Sequence, residues 1–215
     1  MKRRVLFAAT GLLGLSMLAP VVAQAQDNKV FRFVPHANLA VLDPIWTTAY
    51  VTRNHAYMIY DTLFSEDAQG NIKPQMVDTY TTSTDRKTWT FKLRAGLEFH
   101  DGKPVTSEDV VASLKRWASR DAMGGILNTF IDRYETPDAN TFRMVLKEPS
   151  GIVIDALGKA SSNVPFIMPA RIAATPGAEQ IKEHIGSGPF IFKADEFKPG
   201  ALAVYTRNAK YKSRA

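Results

Sequence analysis

The stretch TWTFKLRAGLEFHDGKPVTSEDVVASLKRW, Thr88 to Trp117, decides the fold. It opens by alternating, with Trp89, Phe91 and Leu93 on one face and Thr90, Lys92 and Arg94 on the other, the period of a strand. His100-Asp101-Gly102-Lys103-Pro104 then reads as a tight turn in which Asp101-Gly102 supplies the positive-φ position. Thr106 with Asp109 three residues on has the form of reciprocal helix caps, stabilising by about 1 kcal/mol. A strand, a turn and a helix are therefore predicted in that order.

Working outward, Val30-Phe31-Arg32-Phe33-Val34 reads as a short strand closed by Pro35, and His36 to Asp43 as a loop with Asp43-Pro44 opening a turn. Thr48 to Tyr60 suits a helix, with Val51, His55, Met58 and Ile59 inside and Arg53 and Asn54 outside. Asp67 to Asn71 and Pro74 read as loop, and Thr79 to Arg86 as a polar stretch. Beyond the central stretch, Arg133–Thr136 and Thr141–Leu146 form a hairpin about Pro137-Asp138-Ala139-Asn140. Ile152–Leu157 and Pro169–Ala174 are short helices, and Gly186-Ser187-Gly188-Pro189 breaks the chain. Strands at Phe190–Ala194 and Leu202–Arg207 follow, joined by Lys198-Pro199-Gly200. The mixture predicts an α/β (mixed α+β) fold.

Residues 1–25 have the form of a cleavable signal peptide. Lys2, Arg3 and Arg4 are the basic region, Val5 to Leu18 the apolar run, and Ala23-Gln24-Ala25 the small-residue cleavage site. The run is interrupted by Gly11, Gly14, Ser16 and Pro20 and is short for a bilayer span. The chain has no cysteine, so neither a lipid anchor at the cleavage point nor disulfide staples are expected. The formal charge falls from +6 to +3 once Lys2, Arg3 and Arg4 leave, because 1–25 holds no acidic residue. With no basic run interleaved with aromatics, nucleic acid is a poor partner. A soluble, unanchored periplasmic protein is the expectation.

As a string, the central stretch resembles the signature of the family 5 extracellular solute-binding proteins, which capture peptides and similar solutes for ABC importers. Other segments agree in order. Leu42-Asp43-Pro44 resembles the family's "LDP" loop, and Ile59-Tyr60-Asp61-Thr62-Leu63-Phe64 its "YDTLF" segment. Ile72-Lys73-Pro74-Gln75-Met76 is similar to its "I.P.LA" step, with Met76 where a small residue is common. Ile185-Gly186-Ser187-Gly188-Pro189-Phe190 resembles "GTGPY", and Lys198-Pro199-Gly200 with Tyr205-Thr206-Arg207-Asn208 its closing hairpin.

The resemblance implies the N-terminal part of a two-lobe, periplasmic-binding-protein-like fold, with the second lobe absent. Residues 26–45 would begin lobe one, 46–183 form its small subdomain, and 184–215 return to lobe one and stop short. Ligand would be enclosed by hinge closure, with peptides adding as an extended strand. The candidate contacts are the loop Asn38-Leu39-Ala40-Val41-Leu42, then Tyr50, then Ser161-Ser162-Asn163. The implied partners are a peptide or small solute and ABC permease and ATPase subunits, with the protein itself a monomer.

Catalytic motifs are lacking: there is no G-x-S-x-G, H-E-x-x-H or G-x-x-x-x-G-K-S/T. His36, His55, His100 and His184 are far apart in sequence and read as solvated or packed residues, so no metal and no cofactor are expected. Trp46, Trp89 and Trp117 read as packing groups. Two alternatives remain open at this level: a secreted hydrolase using His100 with Asp101, and a truncated fragment with no ligand function.

Overall fold

Antiparallel pairing of the alternating stretch organises the structure, a computed structural model that describes residues 29–214. Residues 29–34 belong to an N-terminal unit, 1–34, and are described by themselves; the second unit begins at Pro35. In chain order the second unit carries α1 (Tyr50–Ile59), β1 (Asp61–Thr62), β2 (Phe64–Glu66), β3 (Ile72–Pro74), β4 (Val77–Thr82) and β5 (Thr88–Leu93). Next come α2 (Ser107–Ala118), α3 (Ala122–Phe130), β6 (Ile131–Asp138), β7 (Thr141–Leu146) and α4 (Val153–Gly158). The last elements are β8 (Phe166–Ile167), α5 (Ala170–Ala173), β9 (Phe190–Phe192) and β10 (Tyr205–Arg207).

The main sheet has four antiparallel strands in the order β4-β5-β7-β6. Register places Tyr80 opposite Phe91 and Phe91 opposite Phe142. One face therefore becomes an aromatic ladder, with Phe91 and Phe142 stacked 4.8 Å apart and Phe64 edge-on to Tyr80 at 5.5 Å. Cross-strand aromatic pairs of this kind are what hold a sheet in register. Against the sheet and its neighbours packs α2, burying Val110, Val111, Leu114 and Trp117.

The predicted caps of α2 are present. Asp109 Oδ2 accepts from the Thr106 backbone N–H at 2.8 Å, and Thr106 Oγ1 accepts from the Asp109 N–H. Asp109 Oδ1 also accepts from the Ala170 N–H at 2.7 Å, so one carboxylate fixes the starts of both α2 and α5. Three two-stranded ladders, β1–β8, β2–β3 and β9–β10, complete the strand pairing among the described residues.

Three differences from the sequence expectations have physical causes. Val30–Val34 is not a strand; its alternation is real, but a strand exists only where a neighbouring backbone completes the ladder, and none among the described residues pairs with it. Val77–Thr82 is a strand, although Thr79–Arg86 reads as polar stretch. Its threonines face solvent while pairing with β5 supplies the hydrogen bonds. Helix α3 has no counterpart in the sequence reading, since Gly124 and Gly125 lower helix propensity. Gly124 is there for contact: a Cβ would sit 2.9 Å from Ala118 Cα and 3.1 Å from the Trp117 ring. The signal-peptide expectation, 1–25, lies outside the described residues.

Candidate functional site

The candidate loop is held by a buried ion pair that the sequence reading took for a turn opener. Asp43 and Arg116 are both enclosed, with side chains 0% and 1% exposed. Arg116 donates through Nη1 to Asp43 Oδ1 at 3.2 Å and through Nη2 to Oδ2 at 2.8 Å. Its remaining donors go to the carbonyls of Thr175, at 3.0 Å, and Glu179, at 2.9 Å. The carboxylate in turn accepts from the N–H groups of Ile45 (2.9 Å) and Ile181 (3.0 Å). A bidentate pair in which every nitrogen and oxygen has a hydrogen-bond partner is the arrangement in which two charges tolerate burial. It ties the loop after residue 42 to α2 and to the 175–181 segment.

A second tie comes from Asn163, which is 4% exposed. Its Nδ2 donates to the carbonyls of Pro44 (2.8 Å), Thr47 (3.0 Å) and, more weakly, Ile45 (3.3 Å). The Asn163 backbone carbonyl accepts from the Trp117 indole N–H at 2.8 Å. The Asn163 side-chain NH2 is thus spent on the 44–47 turn. Trp46 in that turn is stacked beneath Arg120, 5.1 Å from guanidinium carbon to ring centroid.

The other predicted contacts lie around α1. Thr52 Oγ1 donates to the Val41 carbonyl at 2.7 Å, pinning the 38–42 loop to the helix. Within that loop Asn38 and Ala40 are exposed, Val41 and Leu42 half-buried, and Leu39 buried. On the far side, Tyr57 donates its hydroxyl to the Ala160 carbonyl at 3.3 Å, beside Ser161 and Ser162, which are exposed. Ser162 holds φ +60°, a left-handed conformation uncommon outside glycine. The structure therefore brings the 38–42 loop, Tyr50 and the 160–162 segment to α1, and sets Asn163 beneath them.

Two residues on the same face of α1 were not singled out by sequence. Arg53 stands 4.5 Å over the Tyr50 ring, and Tyr57 follows one turn later. Burial raises the Tyr57 hydroxyl above its ordinary pKa, with the Arg53 charge acting the other way. The signal available in the sequence was the 50, 53, 57 spacing, which puts all three opposite the buried Val51, His55 and Ile59.

Behind α1 the helix meets the β9–β10 hairpin through histidine. His55, far from the others in sequence, lies edge-on to His184 at 6.4 Å and to Phe192 at 5.0 Å. Its Nδ1 is 2.7 Å from the Tyr205 hydroxyl. Burial, with the neighbouring His184, pushes the His55 pKa down to about 3, so the ring is neutral at ordinary pH. The chain then crosses the end of α1 as Gly186-Ser187-Gly188. The Gly188 N–H donates to the Ile59 carbonyl at 3.0 Å, and a Cβ on Gly186 would lie 1.9 Å from that same oxygen.

The His100–Asp101 pair does not form a dyad. The His100 ring donates through Nε2 to the Gly188 carbonyl at 3.1 Å, while Asp101 turns to Arg171 at 3.1 Å and to the Lys103 N–H. Two open hollows, about 550 and 450 Å³, lie at Thr82–Trp89 with Pro149–Gly151 and at Asn128–Tyr134 with Lys115 and Lys147. Neither is lined by a candidate ligand residue. No helix of the described residues is long and apolar enough to cross a membrane.

The fold is thus a mixed α/β layer with an exposed helix face between two pinned loops. Residues 71–215 match the bacterial extracellular solute-binding proteins, family 5 Middle, and the chain belongs to that family. It is 44% identical over 216 residues to the probable peptide ABC transporter periplasmic-binding protein y4tO of Sinorhizobium fredii, covering 99% of this chain and 40% of that protein. Among solved structures it is similar to NikA from Brucella suis in complex with Fe(III)-EDTA, with TM-score 0.71 and 25% identity over 85% of this chain and 36% of that one. AgaA of A. tumefaciens R10, in complex with agropinic acid, gives TM-score 0.65 and 30% identity over 81% of this chain and 35% of that one. The chain thus spans about 40% of the length of the first of these relatives.

Proposed function

We propose that this chain supplies the lobe-one side of a binding cleft in a periplasmic protein that delivers peptides, or related amino-acid-derived solutes, to an ABC importer. The carrying observation is the exposed α1 face held between two loops by groups that are themselves fully engaged. The Asp43–Arg116 pair and the Asn163 amide spend their hydrogen bonds on the scaffold, leaving Asn38, Ala40, Tyr50, Ser161 and Ser162 facing solvent. That is a preorganised surface without a nucleophile–base pair, suited to holding a solute with its bonds intact. In this reading residues 46–183 are the small subdomain and 184–215 begin the return into lobe one. The protein would be exported to the periplasm, act as a monomer without cofactor, and meet permease and ATPase subunits only when loaded.

Calorimetry of the full-length protein against di- to hexapeptide pools and opine-like acids tests the reading. Saturable heat without release of product is expected. No saturable heat with any pool, or steady product formation, would overturn it.

A further inference from the structure

We infer that Arg53, flanked by Tyr50 and Tyr57, takes a carboxylate of the solute, so that the solute class is one carrying negative charge on the side it turns to α1. The inference rests on the solute-binding reading above and adds to it the chemistry of the ligand.

The three side chains are three and four residues apart on α1 and therefore share one face. The guanidinium carbon of Arg53 lies 4.5 Å from the Tyr50 ring centroid. Tyr50 is 61% exposed and Tyr57 38%, so the first ring is open and the second only partly so. No protein carboxylate answers this cation: among the described residues the Arg53 guanidinium forms no ion pair and no hydrogen bond. Arg32, Arg86 and Arg207 likewise make no ion pair or side-chain hydrogen bond among the described residues, but of this group only Arg53 is laid on an aromatic ring. Other arginines are engaged. Arg116 meets Asp43, Arg133 meets Asp132 and Glu135, Arg143 meets Glu135, and Arg171 meets Asp101 and Glu183. Arg120 is stacked in the same way, on Trp46, but donates Nη2 to the Trp46 carbonyl. Glu66, whose charge is felt at Tyr57, makes no ion pair with Arg53.

A guanidinium resting on an aromatic face keeps its fork of N–H donors free at the edge, already oriented for a bidentate carboxylate. Both tyrosines offer flat apolar surface with a polar tip, the composition that recurs where a ligand is clasped. Location completes the reading. Thr52 joins the 38–42 loop to this helix, and Tyr57 reaches Ala160 on the opposite flank. A solute lying along α1 therefore meets a candidate loop at each end and Arg53 between them.

The test is calorimetry of full-length wild type, Arg53→Gln and Arg53→Lys with four tripeptide libraries: Ala-X-Glu and Ala-X-Gln, each as free acid and as C-terminal amide. Wild type should prefer the acid of at least one matched pair, terminal or side-chain, by about 10- to 100-fold, the range of a charge-assisted hydrogen bond. Arg53→Gln should lose that preference and bind the neutral member within about threefold of wild type. Arg53→Lys, which keeps charge but not the fork, should fall between. Thermal melts of both variants should lie within about 4 °C of wild type, since Arg53 has only its exposed stacking on Tyr50 to lose. If wild type binds while the acid-to-neutral ratios are the same in Arg53→Gln, the Arg53 assignment is wrong and the solute-binding reading stands. If wild type binds none of the four libraries, this inference is wrong; if it also gives no saturable heat with the peptide pools and opine-like acids named above, the solute-binding reading fails with it.

Discussion

Asn at position 43 would keep the size and shape of the native Asp and remove only its charge and half of its acceptors. The native carboxylate receives four hydrogen bonds, two on each oxygen: Ile45 N–H and Arg116 Nη1 on one, Arg116 Nη2 and Ile181 N–H on the other. An amide turned either way sets its NH2 against a backbone donor and a guanidinium donor at about 3 Å. Arg116, 1% exposed at the side chain, is then a buried cation without a counter-charge, which costs about 3–5 kcal/mol. For a chain of this size each kcal/mol lowers the melting temperature by about 2–4 °C, so Asp43→Asn should melt about 6–20 °C below wild type. Arg116→Met should cost a similar amount, because it leaves the Asp43 charge and the Thr175 and Glu179 carbonyls short of donors. The Asp43→Asn, Arg116→Met double variant should lose less than the sum by about 2 kcal/mol or more, since neither charge remains to be stranded. Scanning calorimetry and urea titration at neutral pH measure all four corners of the cycle. A single variant melting within 2 °C of wild type, or strictly additive effects, refutes the reasoning.

Asn163→Ala should destabilise by about 2–3 kcal/mol through the unpaired carbonyls of Pro44 and Thr47. Asn163→Asp should cost more, because it aims oxygen at oxygen; thermal melts rank the two. Burial raises the Asp61 pKa to about 6 from 3.8, so between those values the folded chain holds a proton the unfolded chain has lost. Asp61 therefore adds stability as pH falls from 7 towards 4, up to about 3 kcal/mol, and Asp61→Asn should flatten that limb of a urea-midpoint profile. His55 works in the opposite direction. Its folded pKa is depressed to about 3, the unfolded ring protonates first, and stability is lost from about pH 6.5 downward; His55→Gln should lift the acid end. Gly186→Ala should cost about 3 kcal/mol or more, since its Cβ meets the Ile59 carbonyl. Gly151→Ala, with nothing within 4 Å, should be neutral in the same melts.

Elements whose reasons are local were legible in the sequence. The alternation of Trp89, Phe91 and Leu93 and the Thr106–Asp109 caps need only neighbours a few residues away, and β5 and α2 fall where they are expected. So does α1, Tyr50–Ile59 within the expected Thr48–Tyr60, and the hairpin of β6 and β7, whose first strand is longer than its Arg133–Thr136 core. Elements made by a partner were not legible. Val77–Thr82 is a strand because β5 lies beside it, and Val30–Val34 is not because no backbone among the described residues pairs with it. The same holds around α1. Asp43-Pro44 looks like any turn opener until Arg116, 73 residues away, is placed against it. Asn163 and His55 likewise draw their roles from groups that sequence distance hides.

The ties that shape the candidate surface are among the longest of the described residues: Asp43 to Ile181 spans 138 residues and His55 to Tyr205 spans 150. The β4–β5 and β6–β7 hairpins need only short loops to close, and closure over short loops is entropically cheaper and faster. Assembly should thus proceed from the hairpins outward, with residues 38–47 settling last, after the 175–205 stretch arrives. Until that moment the nascent chain would have its sheet but no place for a solute, and a protease should find 38–47 before any other part of this surface.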